Sequence, residues 1–148
     1  MRKIAALAFL CCIAVPAFAQ DGPQSALQGF VAGFNAMDPD AMARLFRPDS
    51  TFFGSTEPDL LRGPDGARGY FVRAWPQGSR FQISCETLTT RELSPALATV
   101  NALCGVQYTR ADGQTGSGRL RLTGLVMRDA EGWRFADLHG SGAPPARR

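Results

Sequence analysis

The sequence of 148 residues has little that points to a specialised class of protein. It has no internal repeat and no low-complexity tract, which excludes solenoids and propellers. Charged residues make up only 20 % and hydrophobic residues 45 %, a balance that excludes a disordered chain. Four cysteines are too few for a disulfide-dense mini-protein of this length. We therefore expect one globular domain with an ordinary hydrophobic core.

Several chemical motifs are also missing. The sequence contains no nucleophile elbow, no Gly-rich phosphate loop after a strand and no His/Cys/Asp set with metal-ligand spacing. The small formal net charge of +3 gives no electrostatic case for nucleic acid or an anionic membrane. We expect no metal, no cofactor, no nucleic-acid partner and no membrane partner. The segment Gly116-Ser117-Gly118 is interpreted as a turn without a ligand role.

Residues 1–19 have the pattern of a cleaved secretory signal peptide. Arg2 and Lys3 precede an apolar run that ends at Val15, and Ala17-Phe18-Ala19 is a small-x-small cleavage signal. The run is shorter than the roughly 20 residues that a membrane-spanning helix needs. The sequence therefore predicts a secreted or periplasmic protein with Cys11 and Cys12 removed.

The remaining chain predicts an α+β fold. Apolar residues at helical spacing indicate helices at 23–37, from Asp38-Pro39 to near Arg47-Pro48, and at 63–75, with one short strand at 51–53. From Arg80 onwards, period-two alternation indicates four long antiparallel strands. About three N-terminal helices would then cover a strongly curved antiparallel sheet, which makes a cone with one open end. The domain is expected to span residues 20–144, with a disordered tail at 145–148.

Two cysteines, Cys85 and Cys104, remain after signal cleavage. If Leu93 pairs with Ala96 at the hairpin turn, the two cysteines lie directly opposite each other on adjacent strands, near disulfide range. A one-residue bulge would break this register. Either a disulfide or two buried free thiols fits the pattern, and in both cases the role is structural.

One face of the last two strands gathers polar side chains. Strict alternation along the last strand puts Phe135 on the same face as Asp137, His139 and Ser141, and the preceding hairpin sets Thr123 near His139 and Arg121 near Ser141. An imidazole beside a carboxylate can act as a general base, and an arginine can hold an anion. The alternative is that the single histidine is only a hydrogen-bonded interior or interface residue.

The sequence resembles the nuclear transport factor 2-like superfamily, which includes the SnoaL-like cyclases and ketosteroid isomerases. The segment Leu138 to Pro144, after Gly132-Trp133-Arg134, resembles the end of the calcium/calmodulin-dependent protein kinase II association domain, with Gly140 in place of an arginine. Phe53-Gly54-Ser55, Tyr70-Phe71 and Arg121-Leu122-Thr123 match motifs of bacterial relatives. The resemblance implies a homo-oligomer, a dimer or larger, built through the sheet, and a pocket lined by Tyr70, Arg121, Thr123 and His139.

Three functions are compatible with these observations. The first is an exported oligomer that binds a small, partly apolar molecule, with an anionic ligand as one option, through Tyr70, Arg121, Thr123 and Ser141. The second is an isomerase, cyclase or hydrolase that uses His139 with Asp137 as base and Arg121 or Tyr70 to hold an oxyanion. The third is an oligomerisation module with a vestigial pocket. The fold alone does not choose among them.

Overall fold

A computed structural model describes residues 22–144, apart from the side chain of Thr87. The predicted signal peptide and the predicted C-terminal tail lie outside the described residues. Three helices are formed by the described chain, as predicted: α1 (Gln24–Ala36), α2 (Pro39–Arg44) and α3 (Gly63–Ala74).

Local chemistry sets the ends of the first two helices. α1 ends where Met37 adopts a left-handed conformation with φ 50°. Asp38 then caps α2, because its carboxylate accepts hydrogen bonds from two backbone N–H groups of the first turn, both at 2.9 Å. α2 ends at Arg44, earlier than the predicted end near Arg47-Pro48, because Phe46 already begins a strand.

The strands form one six-stranded sheet. They are β1 (Phe46–Phe53), β2 (Leu61–Arg62), β3 (Arg80–Ser94), β4 (Leu97–Thr109), β5 (Thr115–Asp129) and β6 (Gly132–Gly142), in the spatial order β2-β1-β6-β5-β4-β3. The predicted antiparallel meander is confirmed for β3 to β6. β1 departs from the prediction, since it pairs with β6 in parallel. The long connection between these two strands lets the chain return in the same direction.

The helices cover one face of the sheet, which we call the concave face. Its strands contribute large buried side chains such as Phe52, Leu122 and Phe135. Aromatic rings join the two layers: the ring of Phe30 on α1 lies 6.4 Å from that of Phe135 and 6.0 Å from that of Phe71 on α3. The fold is thus the predicted α+β cone, with its core between helices and sheet. The opposite face of the sheet is called the convex face.

Cys85 and Cys104 form a disulfide between directly opposed residues of β3 and β4. The predicted hairpin register was wrong in detail, because the turn is closed by Ser94 and Leu97, each one residue later than the predicted pair. Two one-residue register shifts in β3, one next to Cys85 and one before Ser94, together cancel this difference. The cysteines therefore meet as predicted, by a route that the turn alone does not specify.

A further bulge changes the facing of side chains in β6. Val126 pairs with Phe135, whereas the preceding Leu125 pairs with Asp137, so Ala136 is the extra residue. Before the bulge Phe135 faces the helices and is fully buried; after it Asp137 faces away and is exposed. The prediction that Phe135 shares a face with Asp137 and His139 is therefore wrong, because the extra residue Ala136 reverses the direction of the side chains that follow it.

Candidate functional site

A cavity of about 400 Å³ lies between the concave face and the helices α1 and α3. Its walls are mostly aromatic and aliphatic. The lining residues are Phe30, Phe34, Phe52, Ser55, Thr56, Tyr70, Phe71, Ala74, Trp75, Phe81, Val106, Tyr108, Gly118, Arg119, Leu120, Leu122, Gly140 and Gly142. The volume is within the range of pockets that hold small molecules.

Glycines on the concave face leave room for this cavity. Gly118 on β5 and Gly140 and Gly142 on β6 all line it, beside Leu120 and Leu122. A Cβ added at Gly118 or Gly142 would meet no atom within 4 Å, and one at Gly140 would meet its nearest neighbour at 3.5 Å. Side chains at these positions would therefore project into the cavity. The sequence interpretation that gave Gly118 no ligand role missed this contribution.

The polar part of the lining is a cluster of three hydroxyls from Ser55, Thr56 and Tyr70. The Tyr70 hydroxyl lies 3.3 Å from the Ser55 hydroxyl. The Thr56 hydroxyl donates a hydrogen bond to the Tyr70 hydroxyl at 3.4 Å. Tyr70 itself is only 8 % exposed. Its ring packs edge-on against Phe52 and Phe71, each at 5.0 Å. We call Ser55, Thr56 and Tyr70 the hydroxyl cluster.

Arg119 is the one charged residue among the lining residues that the structure describes. Its guanidinium is paired with the carboxylate of Glu86 at 3.4 Å. Residue 119 lies opposite Gly105 of β4, one position from Leu120, so strand alternation directs its side chain towards the convex face. The described lining contains no carboxylate and no imidazole. The cavity is therefore an apolar site with neutral polar groups.

The polar residues expected around His139 come together on the convex face. Thr123 pairs with His139 and Arg121 pairs with Ser141, in the predicted register. All of these side chains except that of Ser141 are exposed, and the His139 ring lies 6.0 Å from that of Phe53. The cluster is thus an open surface rather than a pocket.

The hydrogen bonds of this convex cluster are made mostly within the sheet. The Asp137 carboxylate accepts a hydrogen bond from the Thr51 hydroxyl, and within the described residues no hydrogen bond joins it to His139. The Thr123 hydroxyl donates to the side chain of Asn101 at 3.1 Å. A guanidinium nitrogen of Arg121 donates to the backbone carbonyl of Gly142 at 3.3 Å.

The pocket implied by the resemblance is therefore divided between two faces of the sheet. Tyr70 lines the cavity, whereas Arg121, Thr123 and His139 lie on the convex face. The bulge at Ala136 explains why the polar residues of β6 lie on the convex face. It directs Leu138 and Gly140 inward and the neighbouring polar residues outward. The lining residues Ser55, Thr56, Trp75, Phe81 and Tyr108 were not predicted, although their aromatic and hydroxyl character fits such a site.

Two further features concern metal binding and the membrane, within residues 22–144. No group of three or more His, Cys, Asp or Glu side chains is arranged there to hold a metal ion. None of the helices α1 to α3 is both long and apolar enough to cross a membrane.

Comparison of the sequence with protein families gives a match to the SnoaL-like domain over residues 24–146. The chain belongs to the SnoaL-like family. The match includes every residue that lines the cavity of this SnoaL-like protein. No curated protein of known sequence matches the chain.

Solved structures similar to this SnoaL-like protein share its fold. A protein from Xanthomonas campestris, named for a calcium/calmodulin-dependent protein kinase II association domain, is 19 % identical with a TM-score of 0.73, over 90 % of this chain and 94 % of that one. A ketosteroid isomerase-like protein from Erwinia carotovora is 20 % identical with a TM-score of 0.72, over 82 % and 94 %. A nuclear transport factor 2-like superfamily protein from Salmonella enterica is 18 % identical with a TM-score of 0.69, over 83 % and 90 %. These structures confirm the predicted fold, and the match to the family over residues 24–146 confirms the predicted SnoaL-like resemblance.

Proposed function

We propose that this SnoaL-like protein binds a small, predominantly apolar and uncharged molecule in the cavity. The observation that carries the proposal is the lining, in which aromatic and aliphatic side chains surround a single cluster of neutral hydroxyls. Contact with such walls favours a ligand whose apolar surface leaves water on binding.

The charges around the cavity argue against an anionic ligand. Arg121, the residue expected to hold an anion, lies on the convex face, and Arg119 is already paired with Glu86. Gly140 occupies the cavity floor where the association-domain motif has an arginine. An ionised ligand would lose its hydration without gaining an unpaired cation in exchange, which is costly.

The enzyme alternative has weaker support. Proton transfer requires an acid or base within hydrogen-bond reach of the ligand. His139 and Asp137 are on the convex face, and the described cavity lining holds no other imidazole or carboxylate. Binding is therefore preferred to acid-base catalysis as the function of this cavity.

A fluorescence titration with N-phenylnaphthylamine, a neutral aromatic amine, tests the binding proposal. We expect saturable binding of one probe per chain, and a loss of affinity of at least about tenfold in Gly140→Val, whose added methyl groups would fill part of the cavity. Gly105→Val is the matched control, since a Cβ there would meet only a backbone oxygen at 3.9 Å and lies outside the cavity. Absence of saturable binding, or an equal loss in both variants, would contradict the proposal.

We also propose that the protein forms a homo-oligomer through the convex face. Phe53 is 44 % exposed there, next to the exposed ring of His139, and large exposed aromatic side chains on a sheet favour contact with a partner. A second copy of the chain is the partner proposed. Sedimentation velocity should show a dimer or larger assembly, and Phe53→Glu should shift it towards monomer. A protein that sediments as a monomer at all concentrations would contradict this proposal.

Export with cleavage after Ala19 is proposed on two grounds. The N-terminal sequence has the pattern of a signal peptide, and the Cys85–Cys104 disulfide is typical of an oxidising compartment. The intact mass of the protein recovered from the extracytoplasmic fraction should correspond to a chain that begins at Gln20. Recovery of the full-length chain from the reducing cytoplasm alone would contradict export.

A further inference from the structure

The second half of β3 presents an open strand edge, although the first half is covered. β3 is the last strand of the sheet, with β4 as its neighbour. Asn35 covers the edge at Ile83, whereas every residue from Leu88 to Glu92 is exposed. We call residues 88–92 the free edge. We propose that the free edge pairs with the free edge of a second copy of the chain, so that two sheets join into one.

Backbone groups of the free edge point away from the sheet. The N–H and C=O groups of Ile83 both bond to Asn35, so they point outward. Leu88, Thr90 and Glu92 share this orientation, because their partners in β4 lie an even number of residues from the partner of Ile83. Within the described residues, no hydrogen bond from another segment reaches the outward backbone groups of these three residues. They are therefore available to another strand.

The free edge lacks the features by which proteins usually prevent such pairing. β3 contains no proline, lysine or glycine. Its two register shifts lie next to Cys85 and between Glu92 and Ser94, so the backbone is regular from Leu88 to Glu92. Two of the five residues of the free edge are threonines, whose branched side chains favour extended backbone. A regular exposed strand of this kind is a template for a further strand.

A second copy is the partner because the free edge is self-complementary around Thr90. Two copies related by a two-fold axis pair their edge strands antiparallel, and opposed side chains point to the same face of the joined sheet. With the axis at Thr90, this residue lies opposite its own counterpart and Leu88 lies opposite Glu92. About six backbone hydrogen bonds would then join the two copies, two for each opposed pair.

Electrostatic repulsion disfavours the neighbouring registers. An axis at Arg91 would set two guanidinium groups opposite each other, and an axis at Glu92 would set two carboxylates opposite each other. An axis at Thr89 would bring Glu92 of one copy towards Glu86 of the other. The register centred on Thr90 places no like charges directly opposite each other.

The position of Asn35 also favours this register. An axis at Leu88 would bring Leu93 of the second copy against Ile83, where the Asn35 side chain already holds both backbone groups. With the axis at Thr90, residue 97 would lie opposite Ile83, and this residue already belongs to β4. The second copy would therefore turn away before it reached Asn35.

Pairing of this kind ends at two copies. The contact uses the β3 edge of both chains, and the opposite end of the sheet is β2, which has only two residues. A two-fold contact between identical edges is closed, so it gives a dimer and not a fibre. The free edge is separate from the convex face, and the inference rests neither on the convex-face contact nor on a ligand in the cavity.

Sedimentation velocity in a Phe53→Glu background isolates the edge contact, because this substitution weakens the convex-face contact. We expect a concentration-dependent dimer. Adding Thr90→Lys places two like charges at the axis and should weaken dimerisation at least about tenfold. Thr90 is exposed and its N–H points outward, so the far-ultraviolet circular dichroism spectrum should stay unchanged. Gln114→Lys is the matched control, since it adds the same charge at an exposed residue between β4 and β5.

Cross-linking in the same background tests the register. Dibromobimane becomes fluorescent when it joins two neighbouring thiols. Opposed residues of paired strands bring their Cβ atoms to about 5.5 Å, so Thr90→Cys should give a fluorescent covalent dimer. Gln114→Cys, which lies away from the free edge, should give none.

The outcomes separate the edge contact from the convex-face contact. A Phe53→Glu protein that is monomeric at every concentration would overturn the edge contact and leave the convex-face proposal standing. Equal dimerisation with Thr90→Lys and Gln114→Lys, or equal cross-linking of the two cysteine variants, would also overturn it. A Thr90→Cys chain that reacts with the probe but stays monomeric has an edge that is free or open to another protein, and this result would equally overturn pairing with a second copy.

Discussion

Gly54 lies against the ring of Tyr70, with no space between them for a side chain. A Cβ on Gly54 would overlap ring atoms of Tyr70, so the end of β1 can approach α3 only because residue 54 is glycine. This contact fixes the position of the tyrosine on which the hydroxyl cluster depends. The Phe53-Gly54-Ser55 segment therefore matters for the shape of the cavity as well as for the turn after β1.

Gly54→Ala is expected to weaken probe binding and to lower the free energy of unfolding. The new methyl group must displace the Tyr70 ring from its contacts with Phe52 and Phe71, at a cost of about 1–3 kcal/mol. Urea unfolding measures the stability, and N-phenylnaphthylamine titration measures the binding. Gly105→Ala is the control, where the added Cβ meets only a backbone oxygen at 3.9 Å. Equal stability of the two variants would contradict the account of Gly54.

Removal of the Cys85–Cys104 disulfide should destabilise the fold without changing its architecture. The bond closes a loop with a sequence separation of 19, for which the loss is about 2–4 kcal/mol. The double variant Cys85→Ala/Cys104→Ala should show this loss in urea unfolding and keep the far-ultraviolet circular dichroism spectrum of the unchanged protein. A double variant as stable as the unchanged protein in its oxidised form would contradict the structural role.

Asp129 should contribute stability that disappears in acid. A hydrogen bond from Arg134, together with the backbone N–H of Glu131 and the charge of Arg47, lowers the pKa of its carboxyl group. A carboxyl group with a lowered pKa in the folded state stabilises the fold above its unfolded pKa, and this contribution is lost as the pH falls through the folded pKa.

The substitution Asp129→Asn tests this pH dependence. At neutral pH it should lower the free energy of unfolding by about 1 kcal/mol, and the difference from the unchanged protein should shrink as the pH falls below about 4. Urea unfolding across this pH range provides the measurement. Asp59→Asn, in an exposed loop, is the control. A difference that stayed constant from neutral to acid pH would be inconsistent with the assigned ion pairs.

Asn35 caps part of the exposed edge of β3. Its side-chain amide donates to the Ile83 carbonyl at 3.0 Å and accepts from the Ile83 N–H at 2.7 Å, which are the two bonds that a neighbouring strand would make. Asn35→Ala should lower the free energy of unfolding by about 1–3 kcal/mol and increase aggregation. Asn35→Asp should be destabilised as well, because it keeps the acceptor for the Ile83 N–H but sets a second carboxylate oxygen against the Ile83 carbonyl. Light scattering during mild heating measures the aggregation. No difference in scattering among the three proteins would contradict the edge-capping role.

The sequence predicted the helices and strands of the fold better than the side of the sheet to which each side chain points. Hairpin turns and period-two alternation were enough to place Thr123 beside His139. Cys85 lies opposite Cys104 as predicted, but only because two bulges in β3 cancel a one-residue error in the predicted turn. Alternation cannot reveal a bulge, however, because no residue type marks the position of an extra residue such as Ala136. For this reason Phe135 was placed on the same face as the polar residues of β6, and the inward-facing Gly140 was not recognised as part of the cavity lining.

The hydroxyl cluster could not be predicted for a different reason. Ser55 and Thr56 follow β1 in a loop, and only the packing of α3 against that strand brings them to Tyr70. Contacts of this kind depend on tertiary structure, and no local pattern of residues signals them.

The central claim, that the cavity binds the ligand, is tested most directly by the two tryptophans. Trp75 lines the cavity and Trp133 does not, so Trp133→Phe leaves a single fluorescent reporter at the site. In this variant, titration with acetylnaphthalene should change the Trp75 emission saturably with one ligand per chain. The Gly140→Val substitution in the same background should shift the midpoint by at least about tenfold. An emission that does not change, or a midpoint that Gly140→Val leaves unmoved, would contradict the account.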